Sequence, residues 1–371
     1  MRQVIIICQR FYDRETQKIS VGGIQHYIKC LSKVIRDMGD IPRIIQYSED
    51  NFEVSYEGCI ITGVDTSGEK HLRDKNALLY KKSKEYKKDG DVLIYATEQL
   101  VQKESKDYAI GIQHGIYWDI TTSEKCSRIK NIFYLLKQCF WAIVQTQRIS
   151  YLSQVVCVDY NFINWYRTQI KSLESKFHVV PNFTPIPAYN EGKHSSDLVR
   201  VVFARRFQTY RGTRLFANAI SRILQTEKNI EVVVAGEGPD EDYLHKSLDM
   251  YPNVIFSKYS SESSLAFHKD KDIAIVPTVG SEGTSLSLLE AMASQCAVVC
   301  TNVGGMTNIV IDGYNGIMIN PDEDELYTAL LKLIKNRELR KIMSDRAYST
   351  VKEGFSIERW EARWRTILNR S

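Results

Sequence analysis

Several large protein classes are excluded by what this 371-residue chain lacks. No stretch approaches the roughly 18–20 consecutive apolar residues that span a bilayer. No C-x-x-C pair occurs among the eight cysteines, Cys8, Cys30, Cys59, Cys126, Cys139, Cys157, Cys296 and Cys300. Several of them fall in apolar, strand-like runs. They read as buried free thiols, which argues against a disulfide framework or a zinc site. A net charge of +4 is too small to imply nucleic-acid binding, and no RNA or DNA motif accompanies it. There is no short repeat and no low-complexity tract. The opening "MRQVIIICQRF" has an apolar run too short for a signal segment and reads as a first β-strand. These absences describe a cytoplasmic protein, free or held on the inner face of a membrane.

What is present is a regular alternation. Short apolar runs at 4–8, 43–47, 92–96, 110–113, 155–158 and 178–180 alternate with longer amphipathic ones. The pattern restarts after Pro181, at 201–204, 230–235, 254–256, 273–277, 298–301 and 316–319. Helices are expected at 24–38, 127–144, 212–226 and 323–335. Such alternation predicts parallel sheets covered by helices. The stretch 179–197, "VVPNFTPIPAYNEGKHSSD", has the prolines and polar residues of a linker. Two Rossmann-like halves follow from that cut. A closing segment carries Trp360 and Trp364 on one face of an amphipathic helix.

The richest stretch is 276–305, "VPTVGSEGTSLSLLEAMASQCAVVCTNVGG". It reads as strand end, Gly-rich loop, helix, strand and Gly-Gly turn. Glu282 lies in the loop and Glu290 about two helical turns later. Both carboxylates can face a ligand at the helix N-terminus, where free amides and the helix dipole favour phosphate. Such a seat suits a nucleotide sugar, with hydroxyls at both ends and phosphate between.

The order strand, E-G-x-x-L-x-x-x-E-A-M-A, strand, G-G resembles the donor-binding signature of retaining glycosyltransferases of the GT-B fold, family 4. That resemblance implies two Rossmann-like domains facing each other across a donor-binding cleft. The expected parts are an acceptor-binding domain at 1–183, a nucleotide-sugar-binding domain at 184–354 and a helix at 355–371 crossing back to the first domain. "VVFARRFQTYRG" is similar to the family's G-R-x-x-x-x-K-G, with Arg206 at the arginine and Arg211 at the lysine position. Both are expected to hold the departing diphosphate, where fixed cations stabilise developing charge. Arg205 stands where the family has glycine, and either arginine could point inward. Gly236 and Gly238 resemble the family's G-x-G-P turn near the nucleotide; a plain tight turn is the alternative. Gly22 and Gly23 open the helix at 24–38 and match the family's diphosphate-facing loop.

The resemblance further implies that His114, followed by Gly115, Tyr117 and Trp118, lies beside the donor sugar. Amides of Thr284, Ser285 and Leu286 are expected on phosphate or sugar, Glu282 on sugar hydroxyls and Glu290 on ribose. Thr284 and Ser285 stand where many members carry Phe-Gly, and Asn308 where glutamate is usual. Two acidic pairs, Asp270/Asp272 and Asp89/Asp91, precede strands and read as turns, so neither metal nor other cofactor is expected. The expected reaction moves a hexose-type sugar from a nucleoside diphosphate to a sugar or lipid-linked acceptor, with retention, in bacterial surface polysaccharide assembly. The alternatives are a nucleotide-sugar epimerase of the same fold and a catalytically silent nucleotide-sugar-binding subunit. Residues 70–88 carry eight Lys/Arg against two acids, and 121–158 five against one around "NIFYLLKQCFWAIV". A basic face with aromatics can rest on anionic lipid. A solvated face for the first stretch and a core helix for the second are the alternatives.

Overall fold

A computed structural model describes residues 2–105, 109–118, 128–169, 176–280 and 282–369. Cys126 and the start of the basic 121–158 stretch lie outside the described residues. The chain divides into two compact units: 1–114 with 132–181 and 360–371, and 115–131 with 182–359.

The first unit is built on an eight-stranded sheet. Its elements run β1 (Gln3–Ile7), the small hairpin β2 (Tyr12–Asp13) and β3 (Lys18–Ile19), α1 (Gly23–Asp37), β4 (Ile41–Ser48), β5 (Phe52–Tyr56), β6 (Cys59–Asp65), α2 (Leu72–Tyr86), β7 (Val92–Tyr95), β8 (Ala109–Gln113), α3 (Arg128–Ser150), β9 (Gln154–Cys157), α4 (Tyr160–Gln169) and β10 (Phe177–Val179). The spatial order is β10-β9-β8-β7-β1-β4-β6-β5. All neighbours are parallel except β5 with β6. Val4, Ile5, Ile6 and Ile7 are all buried, because helices cover both faces of a parallel sheet. The β5–β6 hairpin escaped the strand reading. Its turn, Glu57-Gly58, has φ of 45° and 73°, the left-handed pair that two-residue hairpins need.

The second unit runs β11 (Val199–Ala204), α5 (Thr213–Thr226), β12 (Ile230–Ala235), α6 (Glu241–Leu248), β13 (Val254–Ser257), α7 (Ser264–His268), β14 (Ile273–Val276), α8 (Leu286–Ala293), β15 (Ala297–Thr301), β16 (Ile317–Ile319), α9 (Glu323–Lys335) and α10 (Arg337–Gly354). Its parallel sheet has the order β13-β12-β11-β14-β15-β16. Successive side chains alternate faces. Val201, Phe203, Val232 and Val234 pack with the apolar side chains of α5, α6 and α9. Val202, Ala204, Val233 and Ala235 pack with those of α8 and α10. This is a doubly wound sheet whose order reverses between β11 and β14.

Part of the expected linker is built into the second unit. Lys193 and His194 are buried. The Lys193 ammonium donates to the carbonyls of His268, Lys269 and Ser294 at 3.2, 2.9 and 2.8 Å. His194 bridges Asp272 at 2.8 Å and Ser344 at 2.9 Å. Polar composition suggested a free linker, but these groups are desolvated and paired.

The last helix, α11 (Ile357–Leu368), supplies Trp360 and Trp364 to the first unit, both essentially unexposed. The Trp364 indole donates to the Tyr27 hydroxyl at 2.9 Å, and Trp360 stands edge-on to Tyr27 at 5.0 Å. Among the described residues, no helix is long and apolar enough to cross a membrane.

Candidate functional site

In open α/β sheets ligands bind beyond the C-terminal strand ends, where the strand order reverses. In the second unit, β11 is followed by Arg205 and β14 by Pro277-Thr278 at that place. The Arg205 guanidinium donates to the Thr278 hydroxyl across the switch point, and to Glu282 Oε2 at 2.5 Å. Arg211 donates to the same carboxylate oxygen, and the Thr278 hydroxyl donates to it at 3.1 Å. Thr278 is itself held, because the Thr301 hydroxyl donates to its carbonyl at 2.5 Å. Three side chains from two connections beyond the strand ends thus converge on one oxygen.

Burial alone would raise the Glu282 carboxyl. Attraction by Arg205 and Arg211, with their hydrogen bonds, outweighs it and holds the group below the ordinary carboxylate range. Burial lowers the Arg205 guanidinium against the pull of Glu282, whereas Arg211 is raised because Glu282 outweighs its burial. Arg205 is the more enclosed, and both stay charged at neutral pH. The triad carries a net +1. The Arg205 side chain is 4% exposed and that of Arg211 26%. Arg211 is therefore the member able to reach a ligand, and Arg205 is a buried strut.

The gapless motif match pointed to Arg206. The structure places the Arg205 side chain against Glu282 and leaves Arg206 exposed. Arg205 still continues the ladder, its amide donating to Ala235 at 3.0 Å.

Glu290 sits within α8 and accepts from the Ser264 hydroxyl at 2.6 Å. Burial pushes its carboxyl up to about 7, with the Ser264 hydrogen bond opposing. Glu282 and Glu290 therefore differ in state near neutral pH: one is a fixed anion, the other sits near its titration point. Tyr259, beyond β13, connects their surroundings. Its hydroxyl donates to the Ala204 carbonyl at 3.3 Å and its ring stacks on Phe267 at 4.6 Å. Burial pushes its phenol up to about 12, with Glu290 adding and Arg205 opposing.

The expected amide donors Thr284, Ser285 and Leu286 lie at the start of α8, with Ser285 at the N-cap. The Ser285 hydroxyl contacts Ser287 at 3.2 Å rather than capping an amide. First-turn amides of a helix lack internal partners, so this end offers donors. Gly304 and Gly305 clasp the loop before it. Gly305 donates to the Glu282 carbonyl at 2.9 Å, and a Cβ at Gly304 (φ 55°) would stand 2.0 Å from that carbonyl oxygen. Asn308 closes the short turn Gly304–Asn308. Gly236 and Gly238 (φ 145° and 150°) serve a similar close approach. A Cβ at either would stand 2.0 Å from the Arg205 carbonyl or 2.4 Å from that of Phe207. Their contact is with the arginine loop.

In the first unit, Gly22 and Gly23 begin α1, with Gly22 at the N-cap. His114 follows β8. Its Nε2 lies 2.9 Å from the Ala96 carbonyl, which can only accept, so Nε2 holds the proton and Nδ1 is the acceptor. The residue keeps part of its surface, yet its ring is enclosed deeply enough for burial to push it down to about 4, against the Ala96 hydrogen bond. It is neutral at pH 7. Tyr117 and Trp118 stand edge-to-face at 5.2 Å and group with the second unit.

Three of the four residues of the acidic pairs have structural partners in the fold. Asp272 accepts from the Arg200 amide at 2.8 Å besides binding His194, and Asp270 pairs with Lys271. Asp91 accepts from the amides of Gln3 and Lys88 at 2.7 and 2.8 Å. Thr278, Tyr259 and Ser264 were not picked out as site members by the motif reading, and Arg205 was left as an alternative to Arg206. The sequence signal of Arg205, Thr278 and Tyr259 is their position just past an apolar strand run; Ser264 has none.

Residues 199–336 match the family described as glycosyl transferases group 1. An uncharacterized glycosyltransferase of Methanocaldococcus jannaschii is 31% identical over 180 residues. That match covers 46% of this chain and 45% of the relative, so the chain spans about half the length of that protein. Sucrose-phosphate synthase from Thermosynechococcus elongatus superposes with a TM-score of 0.78 at 13% identity over the whole of both chains. HepE of Anabaena, solved with UDP and glucose, gives 0.73 at 14%, again over both whole chains. The fold is GT-B, an α/β fold of two Rossmann-like domains.

Proposed function

We propose that this protein is a glycosyltransferase that moves a hexose-type sugar from a nucleoside diphosphate to a sugar or lipid-linked glycan acceptor. The carrying observation is the Arg205–Glu282–Arg211 cluster at the sheet switch point, beside the N-terminus of α8. The group 1 match over 199–336 supports the reading, since that stretch contains the whole cluster. HepE, of like fold, was solved with UDP and glucose, which makes a uridine nucleotide the first donor to test.

Arg211, with Arg206 on the exposed side of the same loop, takes the diphosphate. Donors at the start of α8 take phosphate or sugar. Glu282 takes sugar hydroxyls through the oxygen its arginines leave open, and Glu290 takes the ribose. His114, a neutral imidazole with Nδ1 as acceptor, takes a sugar hydroxyl, and the loop Gly22-Gly23 takes phosphate. In the transfer the bond between the sugar anomeric carbon and the diphosphate oxygen breaks. A bond from the acceptor oxygen to that carbon forms on the same face, so anomeric configuration is retained, and the acceptor proton passes to the leaving phosphate. Fixed cations neutralise the charge that grows on the diphosphate, and the reaction needs no metal ion. The setting implied by the family resemblance is bacterial surface polysaccharide assembly.

The test is a thermal-shift panel of UDP, GDP and ADP and their sugars, followed by turnover of the stabilising donor. Proton NMR of the product reads the anomer formed. Stabilisation by at least one diphosphate, with transfer undiminished in EDTA, is expected. No shift with any nucleotide would overturn the reading. Free epimerised sugar would replace it with an epimerase, and binding without transfer or hydrolysis with a silent subunit. Loss of turnover in EDTA with recovery in manganese would overturn metal independence.

A further inference from the structure

The least explained surface of the molecule is α3. Ile132, Phe133, Leu135, Leu136, Phe140 and Ile143 are each 57–68% exposed. All residues from 132 to 137 are exposed. Within α3, Ile132, Phe133, Leu136, Phe140 and Ile143 fall within about 100° of one another and form one exposed apolar sector. Attachment comes later in the helix, where Gln145 and Ile149 are buried and Gln145 donates to Glu98 at 3.0 Å.

An exposed apolar sector on a helix that also carries basic residues is the pattern of a helix lying in a bilayer interface, its apolar side in the acyl region and its polar side at the headgroups. The charge of the segment selects the kind of lipid. The 23 residues of α3 include four Lys/Arg and no Asp or Glu. The basic helix α2 stands on the same side of the sheet. The connections β6–α2–β7 and β8–α3–β9 cross the sheet in one direction, and right-handed crossovers then put both helices on one face. Both also hang on one turn: Asn76 of α2 donates to the Gln99 carbonyl at 2.9 Å, beside the Glu98 that holds Gln145. Exposed Lys81, Lys84 and Lys88 lie in and just beyond α2.

We propose that α3 embeds its apolar sector, from Ile132 to Ile143, in the interfacial region of an anionic bilayer, with the lysines of α2 against the headgroups. The helix lies in the interface and does not span it. The assignment stands apart from the transfer chemistry, because no residue of the arginine–glutamate cluster takes part.

The test is flotation of the full-length protein with vesicles of phosphatidylcholine alone or mixed with phosphatidylglycerol. Wild type is expected to float with the anionic vesicles and much less with the neutral ones. The variant Leu136→Glu/Phe140→Glu should reduce the bound fraction about tenfold or more, because each change removes an inserted side chain and adds a repelled charge. Lys81→Glu/Lys84→Glu/Lys88→Glu should weaken binding at low salt and little at high salt. All these positions are exposed or half-buried, and unchanged circular dichroism and nucleotide thermal shifts confirm intact variants. Absence of flotation, or flotation unaffected by the α3 changes, would overturn the proposal. So would a concentration-dependent dimer in sedimentation velocity that the α3 changes abolish, which would assign the helix to a second copy.

Discussion

Breaking the pair Arg205–Glu282 should cost far more than its single hydrogen bond suggests. Their side chains are 4% and 10% exposed, and the contact is 2.5 Å. Removing one member of a desolvated pair costs about 3–5 kcal/mol, mostly by stranding the other charge. The two ends are unequal. Glu282→Gln strands two guanidiniums at once, since Arg211 binds the same oxygen; the full 3–5 kcal/mol applies. Arg205→Met leaves Glu282 its Arg211 and Thr278 partners, so about 1–3 kcal/mol is expected. In the double variant the stranded charge is largely gone, and the total should fall short of the sum by about 2–3 kcal/mol. Equilibrium urea unfolding of the four proteins, followed by circular dichroism, measures this cycle. Because Glu282 is held below its unfolded value, its contribution is present above a pH of about 4.3 and lost as pH falls through the lower folded value. The coupling should therefore be equal at pH 6 and pH 8. Penalties additive within about 0.5 kcal/mol would refute the reasoning and show that solvent screens the pair.

Two further outcomes follow from the carboxyl groups. Glu290→Gln should weaken binding of free nucleoside diphosphate about ten- to a hundredfold by calorimetry, whereas Glu282→Gln should leave it nearly intact and depress turnover; equal weakening by both would reject separate roles. Glu98 is buried and burial pushes it up to about 7, against its Gln145 hydrogen bond. A raised carboxyl favours the fold below its unfolded value and loses that contribution as pH rises toward the folded value, here from about 4.3 to about 7. Glu98→Gln keeps the acceptor for Gln145 without the titration, so its stability relative to wild type should rise by roughly 2–3 kcal/mol between pH 5 and pH 8. A constant difference in urea unfolding across that range would show that Glu98 is not desolvated.

Apolar runs and their spacing were enough to read the sheets. Strands such as Gln3–Ile7 and Ile230–Ala235 are buried on both faces, so their composition alone marks them. The β5–β6 hairpin was hidden because β5 is partly exposed along its length and its turn uses Glu57 in a left-handed conformation that glutamate seldom adopts. The strand–loop–helix–strand arrangement at α8 was legible for a local reason: Glu282, the helix start and Gly304-Gly305 lie within one short stretch of chain. Three matters needed the tertiary structure. Lys193 and His194 look like linker residues until the carbonyls and Asp272 that desolvate them come from distant elements. The α3 run reads equally as a core helix, since composition does not say whether a partner surface exists; its exposure is a property of what fails to pack on it. Arg205 and Arg206 are adjacent and chemically identical, and both lie past the end of β11. Which one turns inward was decided by Thr278 and Glu282, more than seventy residues away, because only contacts brought together by the fold supply a buried anion to meet one guanidinium and leave the next in water.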